Sequence, residues 1–139
     1  MKHDDPCFVL DTNTVFSGLI WPDSVPALAL AKALRYRVVV SEEVAQEMRN
    51  VMSRPQFDRL KPLSERMSDL DNFLKKCELV TVKVVVQACR DPKDDKFLAL
   101  AKSANAVLIV SGDRDLLDMN PWEGIPILTP RQFVEQEIE

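Results

Sequence analysis

The sequence predicts an α/β protein with a mostly parallel central sheet that helices cover on both faces. Short β-branched apolar runs alternate with helix-like segments along the 139 residues, which is typical of this fold class. The runs Val38–Val40 and Val107–Val110 contain no polar residue, as expected for strands that are buried on both faces. A chain of this length fits one domain, and we assign residues 1–139 to it.

Five short strands are expected, each bounded by polar or turn-forming residues. They are Phe8–Leu10, Val38–Val40, Leu79–Val86, Val107–Val110 and Ile125–Leu128. After the first strand, Asp11–Thr14 is interpreted as a polar turn, and Gly18 with Trp21-Pro22 indicates a loop.

Helices are expected between these strands, with N-caps at Ser24 and Ser41 and a helix end before Pro55. The remaining predicted helices are Leu63–Lys76, Asp94–Ala104, a turn at Asp115–Met119 and a terminal helix from Pro130. The predicted order is therefore βαβααβαβαβα, with residues 56–62 as a short connector.

Composition points to a globular protein of the reducing cytoplasm. Hydrophobic residues make up 46% and charged residues 29% of the chain, and no apolar run approaches the roughly 20 residues of a membrane span. The three cysteines have no Cys-x-x-Cys spacing, so neither a disulfide framework nor a zinc site is expected. The only histidine, His3, lies in the N-terminal tail and is not expected to act as a base.

The charge is unevenly distributed. The net charge of the chain is −4, yet residues 49–76 carry seven Lys/Arg against four Asp/Glu. A basic flank beside acidic residues would suit a polyanionic substrate, although a solvated helix face is an equally simple interpretation. The residues expected to contact a nucleic-acid backbone are Arg49, Arg54, Arg59 and Lys61.

Acidic residues follow or lie near several of the predicted strands. Asp11 ends the first strand, Asp113 and Asp115 follow the fourth, Asp94 and Asp95 open a helix, and Glu47 lies on the helix after the second strand. Open α/β sheets build their sites at the carboxyl ends of the strands. Carboxylates gathered there repel one another unless a cation lies between them, and Mg²⁺ or Mn²⁺ prefers such oxygen ligands.

Each acid alone also has a simpler explanation. Asp11 could cap the turn through its side chain, one of Asp94 and Asp95 could cap the helix, and Glu47 could be an ordinary surface residue. The combination favours a divalent-metal site that activates water for phosphodiester hydrolysis. A receiver-like signalling domain and a haloacid-dehalogenase-type phosphatase fit less well, because Thr12 and Asn13 stand where further acids would be needed.

The chain resembles the PIN-domain family. Four segments carry the resemblance: Val9-Leu10-Asp11-Thr12-Asn13, Glu47, Asp94 to Ala101, and Val110 to Leu117. It spans about residues 8–133, and it implies a three-layer α/β/α fold and a metal-dependent ribonuclease. The chain looks most like the VapC-like toxins of toxin–antitoxin pairs, which implies single-stranded or structured RNA as the substrate, a small antitoxin as partner and a homodimer.

The resemblance also assigns roles to individual residues. It implies the catalytic acids Asp11, Glu47, Asp95 and Asp113, with Asp94 as the close alternative to Asp95 and with Asp115 as an additional metal ligand. Asn13 and Ser111 match supporting polar residues. The helices at 24–34 and 63–76 are candidate contact surfaces, because Leu30, Ala33 and Phe73 exceed what one buried stripe needs. A non-catalytic nucleic-acid-binding module and a housekeeping RNA-processing nuclease stay open.

Overall fold

The fold is taken from a computed structural model, which describes residues 4–138. In that part of the chain, five strands form one parallel sheet in the order β3-β2-β1-β4-β5. The strands are β1 (Cys7–Leu10), β2 (Arg37–Val40), β3 (Glu78–Leu79), β4 (Leu108–Val110) and β5 (Ile127–Leu128). The predicted α/β class with a parallel sheet is confirmed.

Seven α-helices of the described residues flank this sheet and give the α/β/α arrangement. They are α1 (Thr12–Ile20), α2 (Val25–Leu34), α3 (Glu42–Met52), α4 (Leu63–Lys75), α5 (Asp95–Ala104), α6 (Arg114–Leu117) and α7 (Pro130–Glu135). Short 3₁₀ turns at Pro55–Phe57 and Pro92–Asp94 precede α4 and α5. Apart from the two differences below, the predicted boundaries agree with these within two residues.

The parallel register aligns the carboxyl ends of the central strands. Leu10 of β1 pairs with Val110 of β4, and Phe8 pairs with Val38 of β2. The backbone N–H of Asp11 then donates to the Val110 carbonyl at 3.0 Å. The residues that follow β1, β2 and β4 therefore meet at one edge of the sheet, where the acids were expected.

The prediction of a turn and loop after β1 was wrong, because Thr12–Ile20 forms helix α1. Asp11 is its N-cap, and its Oδ1 accepts the Thr14 N–H at 2.9 Å. Phe16 and Ile20, four residues apart, are buried, so a helical spacing was present in the sequence. Gly18 made a loop the favoured interpretation of this segment, since glycine is a poor helix former. Its role is close packing, because a Cβ there would lie 2.5 Å from Leu30 Cδ1.

The predicted strand Leu79–Val86 was too long. The β3 ladder ends after Leu79 pairs with Val40, and the Val80 N–H makes the last bond to the Val40 carbonyl at 2.8 Å. Beyond that point β2 has no backbone left to pair, since the chain turns into α3 at Ser41. The β-branched pattern therefore continues beyond β3 without forming a ladder.

Three apolar residues that were predicted to contribute to a contact surface belong to the core instead. Leu30, Ala33 and Phe73 are all buried, so they give no support to a dimer on these helices. Leu28 and Leu63 are the large apolar residues that α2 and α4 leave exposed.

Residues 4–138 contain no single helix that is long and apolar enough to cross a membrane. Only when they are taken together do helices α1 and α2 reach the length and apolar content of a membrane span, and the angle between them is 107°.

Candidate metal centre

Three carboxylates converge at the carboxyl edge of the sheet. Asp94 is the N-cap residue of α5, Asp113 is the N-cap residue of α6, and Asp115 lies in the first turn of α6. One oxygen from each of the three lies within 4.8 Å of the others. This spacing suits a hard divalent cation, which takes oxygen ligands at roughly 2.0–2.6 Å.

Asp94 is the most perturbed member of the group. It is 8% exposed, and within the described residues its Oδ2 has no hydrogen-bond partner. Burial, and then the neighbouring Asp113 carboxylate, raise the pKa of Asp94 to about 7. A buried carboxylate oxygen without a donor is costly, and a cation would supply what the protein does not. The donor set therefore fits Mg²⁺ or Mn²⁺.

Asp11 lies beside this group and is held by Ser111. The Ser111 hydroxyl donates to Asp11 Oδ2 at 2.5 Å and accepts the Asp113 N–H at 2.9 Å. Asp11 is buried, and burial raises its pKa despite the hydrogen bonds from Ser111 and Thr14. The simpler explanation for Asp11 therefore holds for one oxygen only: Oδ1 caps α1, while Oδ2 accepts the Ser111 hydroxyl.

Glu47 reaches the same region from α3, but protein donors occupy both of its oxygens. The Thr12 hydroxyl donates to Oε2, and the Lys96 ammonium donates to Oε1 at 2.8 Å. Glu47 is not one of the three converging carboxylates. Neither Thr12 nor Lys96 was singled out from the sequence, although both adjoin predicted site residues.

The structure places Asp94, rather than Asp95, with Asp113 and Asp115. Asp95 turns away and accepts the backbone N–H groups of Ala88 at 3.1 Å and Cys89 at 2.8 Å. The Cys89 N–H, the larger contribution, helps to hold the pKa of Asp95 below its usual value. The family resemblance favoured Asp95, but the 3₁₀ turn before α5 decides which carboxylate faces inward. Asn13 is exposed in the first turn of α1.

Arg90 borders the acidic group and was missed in the sequence. Its Nη2 lies 2.7 Å from Asp115 Oδ1 and 2.7 Å from Asp118 Oδ2. A cation bound by Asp115 would compete with this exposed guanidinium. The sequence signal was weak, because Arg90 lies in a segment without a regular period.

Only some side chains of the predicted basic flank are free to contact a nucleic-acid backbone. Arg54 and Arg59 are exposed, and Arg49 is half-buried. Lys61 is paired with Asp69 at 2.5 Å. Arg66, which contributed to the positive charge of this segment, is fully buried.

The raised pKa of Asp94 predicts that Mn²⁺ binding weakens in acid. A proton on Asp94 must leave before the carboxylate can bind a cation, so affinity falls as pH drops through about 7. We expect roughly tenfold weaker binding at pH 6 than at pH 8, because one proton is displaced. Calorimetric titration at both values measures this change. Equal affinities would show that Asp94 does not bind the ion.

Comparison with known proteins agrees with this geometry. A PIN domain model matches residues 7–115. "Uncharacterized protein MJ1680" of Methanocaldococcus jannaschii is 27% identical over 92% of this chain and 89% of its own length. Two solved structures share the fold: VapBC2 from Rickettsia felis, bound to a DNA fragment from its promoter, and PAE2754 from Pyrobaculum aerophilum.

The first of these has 15% identity and a TM-score of 0.61 over 88% of this chain and 98% of that one. The second has 14% identity and a TM-score of 0.64 over 92% and 86%. Identity this low supports the fold alone. The family match covers more than half of the chain and includes Asp11, Glu47, Asp94, Asp113 and Asp115, so the chain belongs to the PIN-domain family.

Proposed function

We propose that this protein is a Mg²⁺- or Mn²⁺-dependent endoribonuclease whose metal centre is formed by Asp94, Asp113 and Asp115, with Asp11 beside them. The observation that carries the proposal is the buried Asp94 Oδ2, which has no partner among the described residues although Asp94 converges with two further carboxylates. An acidic group of this kind is stable when charged only if a cation is bound.

The chain's own residues would divide the work as follows. Asp94, Asp113 and Asp115 would hold the ion, which when bound lowers the pKa of water and offsets the charge of the phosphate. Ser111 orients Asp11 and the Asp113 backbone through two hydrogen bonds. Glu47 is held by Thr12 and Lys96 at the border of the site.

The proposal is tested by cleavage of a labelled single-stranded RNA in Mg²⁺ or Mn²⁺. Cleavage should stop with EDTA and return when metal is added in excess. His3 lies outside the described residues, and its replacement should change nothing. Cleavage that continues in EDTA would contradict the metal-dependent mechanism, and RNA that is bound but never cut would favour a non-catalytic module.

We further propose that the enzyme is the toxin of a toxin–antitoxin pair and acts in the cytoplasm. The family resemblance supports this role, as does the fold shared with VapBC2 of Rickettsia felis. The small antitoxin partner and the homodimer remain predictions. If expression of the wild type slows growth no more than expression of Asp113→Asn, a housekeeping RNA-processing nuclease is the better description.

The basic flank gives a separate prediction about RNA binding. Arg54 and Arg59 are exposed, so replacing both with alanine should reduce the slope of log affinity against log salt by about two units if each contacts one phosphate. Arg35→Ala, another exposed arginine, is the matched control. A double variant with the wild-type slope would show that the two residues form only a solvated face.

A further inference from the structure

Lys96 keeps little side-chain exposure at a position where helix energetics disfavour a lysine. It lies in the first turn of α5, which begins at Asp95, and its side chain is only 10% exposed. A cation in the first turn faces the positive end of the helix dipole. Removing an ammonium from water costs further free energy unless partners replace the water. The position therefore calls for an explanation beyond helix formation.

The ammonium of Lys96 is held by protein acceptors. Its Nζ donates to Glu47 Oε1 at 2.8 Å and to the Lys93 carbonyl, and it lies 5.5 Å from the centre of the Phe97 ring. Thr12 holds the second oxygen of Glu47. Thr12 follows Asp11, and Lys96 lies two residues after Asp94, so this chain of contacts joins the residues next to two of the site acids.

One donor of the ammonium is left for a ligand. A lysine ammonium has three N–H donors, and two are used by acceptors in the described part of the chain. The adjacent groove is lined by Glu42, Glu43, Gln46 and Asn50 together with the Lys96–Glu47 pair. Lys96 is thus the one cation that the described lining of this groove offers to an anionic oxygen.

We propose that Lys96 contacts a phosphate of the bound RNA and that Glu47 and Thr12 position it. The inference rests on the proposed nuclease function, since it names the group that meets the substrate beside the metal centre. Glu47 then serves mainly as a positioning residue for Lys96 and not as a ligand of the ion. A carboxylate next to a metal centre can bind the ion or position another side chain, and we assign the second role to Glu47.

The test compares Lys96→Met and Lys96→Arg with Lys93→Met, a matched control that removes an exposed lysine from the preceding turn. Three quantities are measured: cleavage in Mg²⁺, binding of single-stranded RNA in Ca²⁺ as a function of NaCl, and Mn²⁺ affinity of the free protein by calorimetry. Circular dichroism checks folding.

Lys96→Met should cleave at least tenfold more slowly and bind RNA with a salt slope lower by about one unit. Its Mn²⁺ affinity should stay within about threefold of the wild type, because no ion ligand is removed. Lys96→Arg should restore the salt slope, and Lys93→Met should match the wild type.

Two results would overturn the inference. Wild-type cleavage and slope in Lys96→Met would show that the ammonium does not meet RNA. Loss of Mn²⁺ affinity in parallel with cleavage would show that Lys96 only arranges Glu47 as a ligand. If Lys96→Met fails to fold because Glu47 is left unpaired, Glu47→Gln is compared with Glu47→Gln/Lys96→Met, and the same one-unit difference is required.

The wild type separates this inference from the proposed function. A wild type that binds RNA without cutting it defeats the nuclease proposal, while the salt slopes still decide the role of Lys96. A wild type that does not bind RNA defeats both.

Discussion

Replacing Asp94 with asparagine is expected to abolish RNA cleavage while making the metal-free protein more stable. Cleavage should fall about a hundredfold or more, because the variant lacks a charged ligand of the ion. The free energy of unfolding of the metal-free protein should rise at neutral and alkaline pH. Burial and the neighbouring Asp113 carboxylate both disfavour the negative charge that Asp94 carries there, and asparagine has no such charge. Urea unfolding in EDTA and cleavage in Mn²⁺ measure the two effects.

The sign of the stability change follows from the direction of the pKa shift. The pKa of Asp94 rises from 3.8 to about 7 on folding, so between these values the folded protein holds a proton that the unfolded chain has lost. The contribution of Asp94 to stability therefore falls as pH rises through this window. Asp94→Asn removes this dependence, and we expect a gain of about 1 kcal/mol, or roughly 3 °C in Tm, at pH 8.

Asp95→Asn is the matched control for this experiment. An asparagine oxygen can still accept the Ala88 and Cys89 N–H groups that Asp95 accepts. Cleavage should therefore stay within about threefold of the wild type, since Asp95 does not face Asp113. If Asp95→Asn loses cleavage while Asp94→Asn keeps it, the acid assignment made from the structure is wrong.

Replacing Arg66 with methionine is expected to destabilise the fold more than any other change outside the apolar core. The side chain is fully buried, and its Nε donates to the Met52 carbonyl at 2.8 Å. It also donates to the carbonyls of Lys61 and Arg54 and to Asp58 Oδ1. Methionine would leave these acceptors without a partner, so we expect a loss of about 3 kcal/mol, or roughly 9 °C in Tm.

The control for Arg66 is its charged partner. The Asp58 side chain is 63% exposed, so Asp58→Asn should cost less than about 1 kcal/mol. Arg66→Lys should recover little, because an ammonium cannot reach several diverging acceptors as the planar guanidinium does. A loss below about 1 kcal/mol for Arg66→Met, measured by thermal unfolding, would contradict this account of Arg66.

The sequence predicted the parallel sheet well because its strands are continuous apolar runs. Val38–Val40 and Val107–Val110 contain no polar residue, and such runs leave little choice but a strand buried on both faces. The N-caps Ser24 and Ser41 were equally clear, since each side chain accepts a backbone N–H three residues on. Local chemistry decides such features without help from the rest of the fold.

The sequence failed where tertiary contacts decide the outcome. Gly18 weakens the helical pattern of α1 but allows α2 to approach. The segment after Leu79 has the pattern of a strand but no neighbouring backbone to pair with, because β2 ends at Val40. Arg66 was counted as part of a basic surface, and only the fold shows that backbone carbonyls surround it.

The candidate site shows the same division. The acids Asp11, Glu47, Asp94, Asp95, Asp113 and Asp115 could be identified from the sequence. Which of the adjacent pair Asp94 and Asp95 faces Asp113 depends on the 3₁₀ turn Pro92–Asp94, which spacing alone does not determine. The contacts of Glu47 with Lys96 and Thr12 join residues 49 and 35 positions apart in the chain, so no local pattern could predict them.

The central claim is that Asp94, Asp113 and Asp115 together hold a divalent cation. Anomalous X-ray scattering from crystals soaked in Mn²⁺ tests it most directly, because it locates the ion without reference to activity. We expect one strong manganese peak within about 2.3 Å of an oxygen from each of these three side chains, and no such peak in crystals of Asp94→Asn. A peak coordinated by Glu47 and Asp95 instead, or no ordered manganese at this edge of the sheet, would contradict the account.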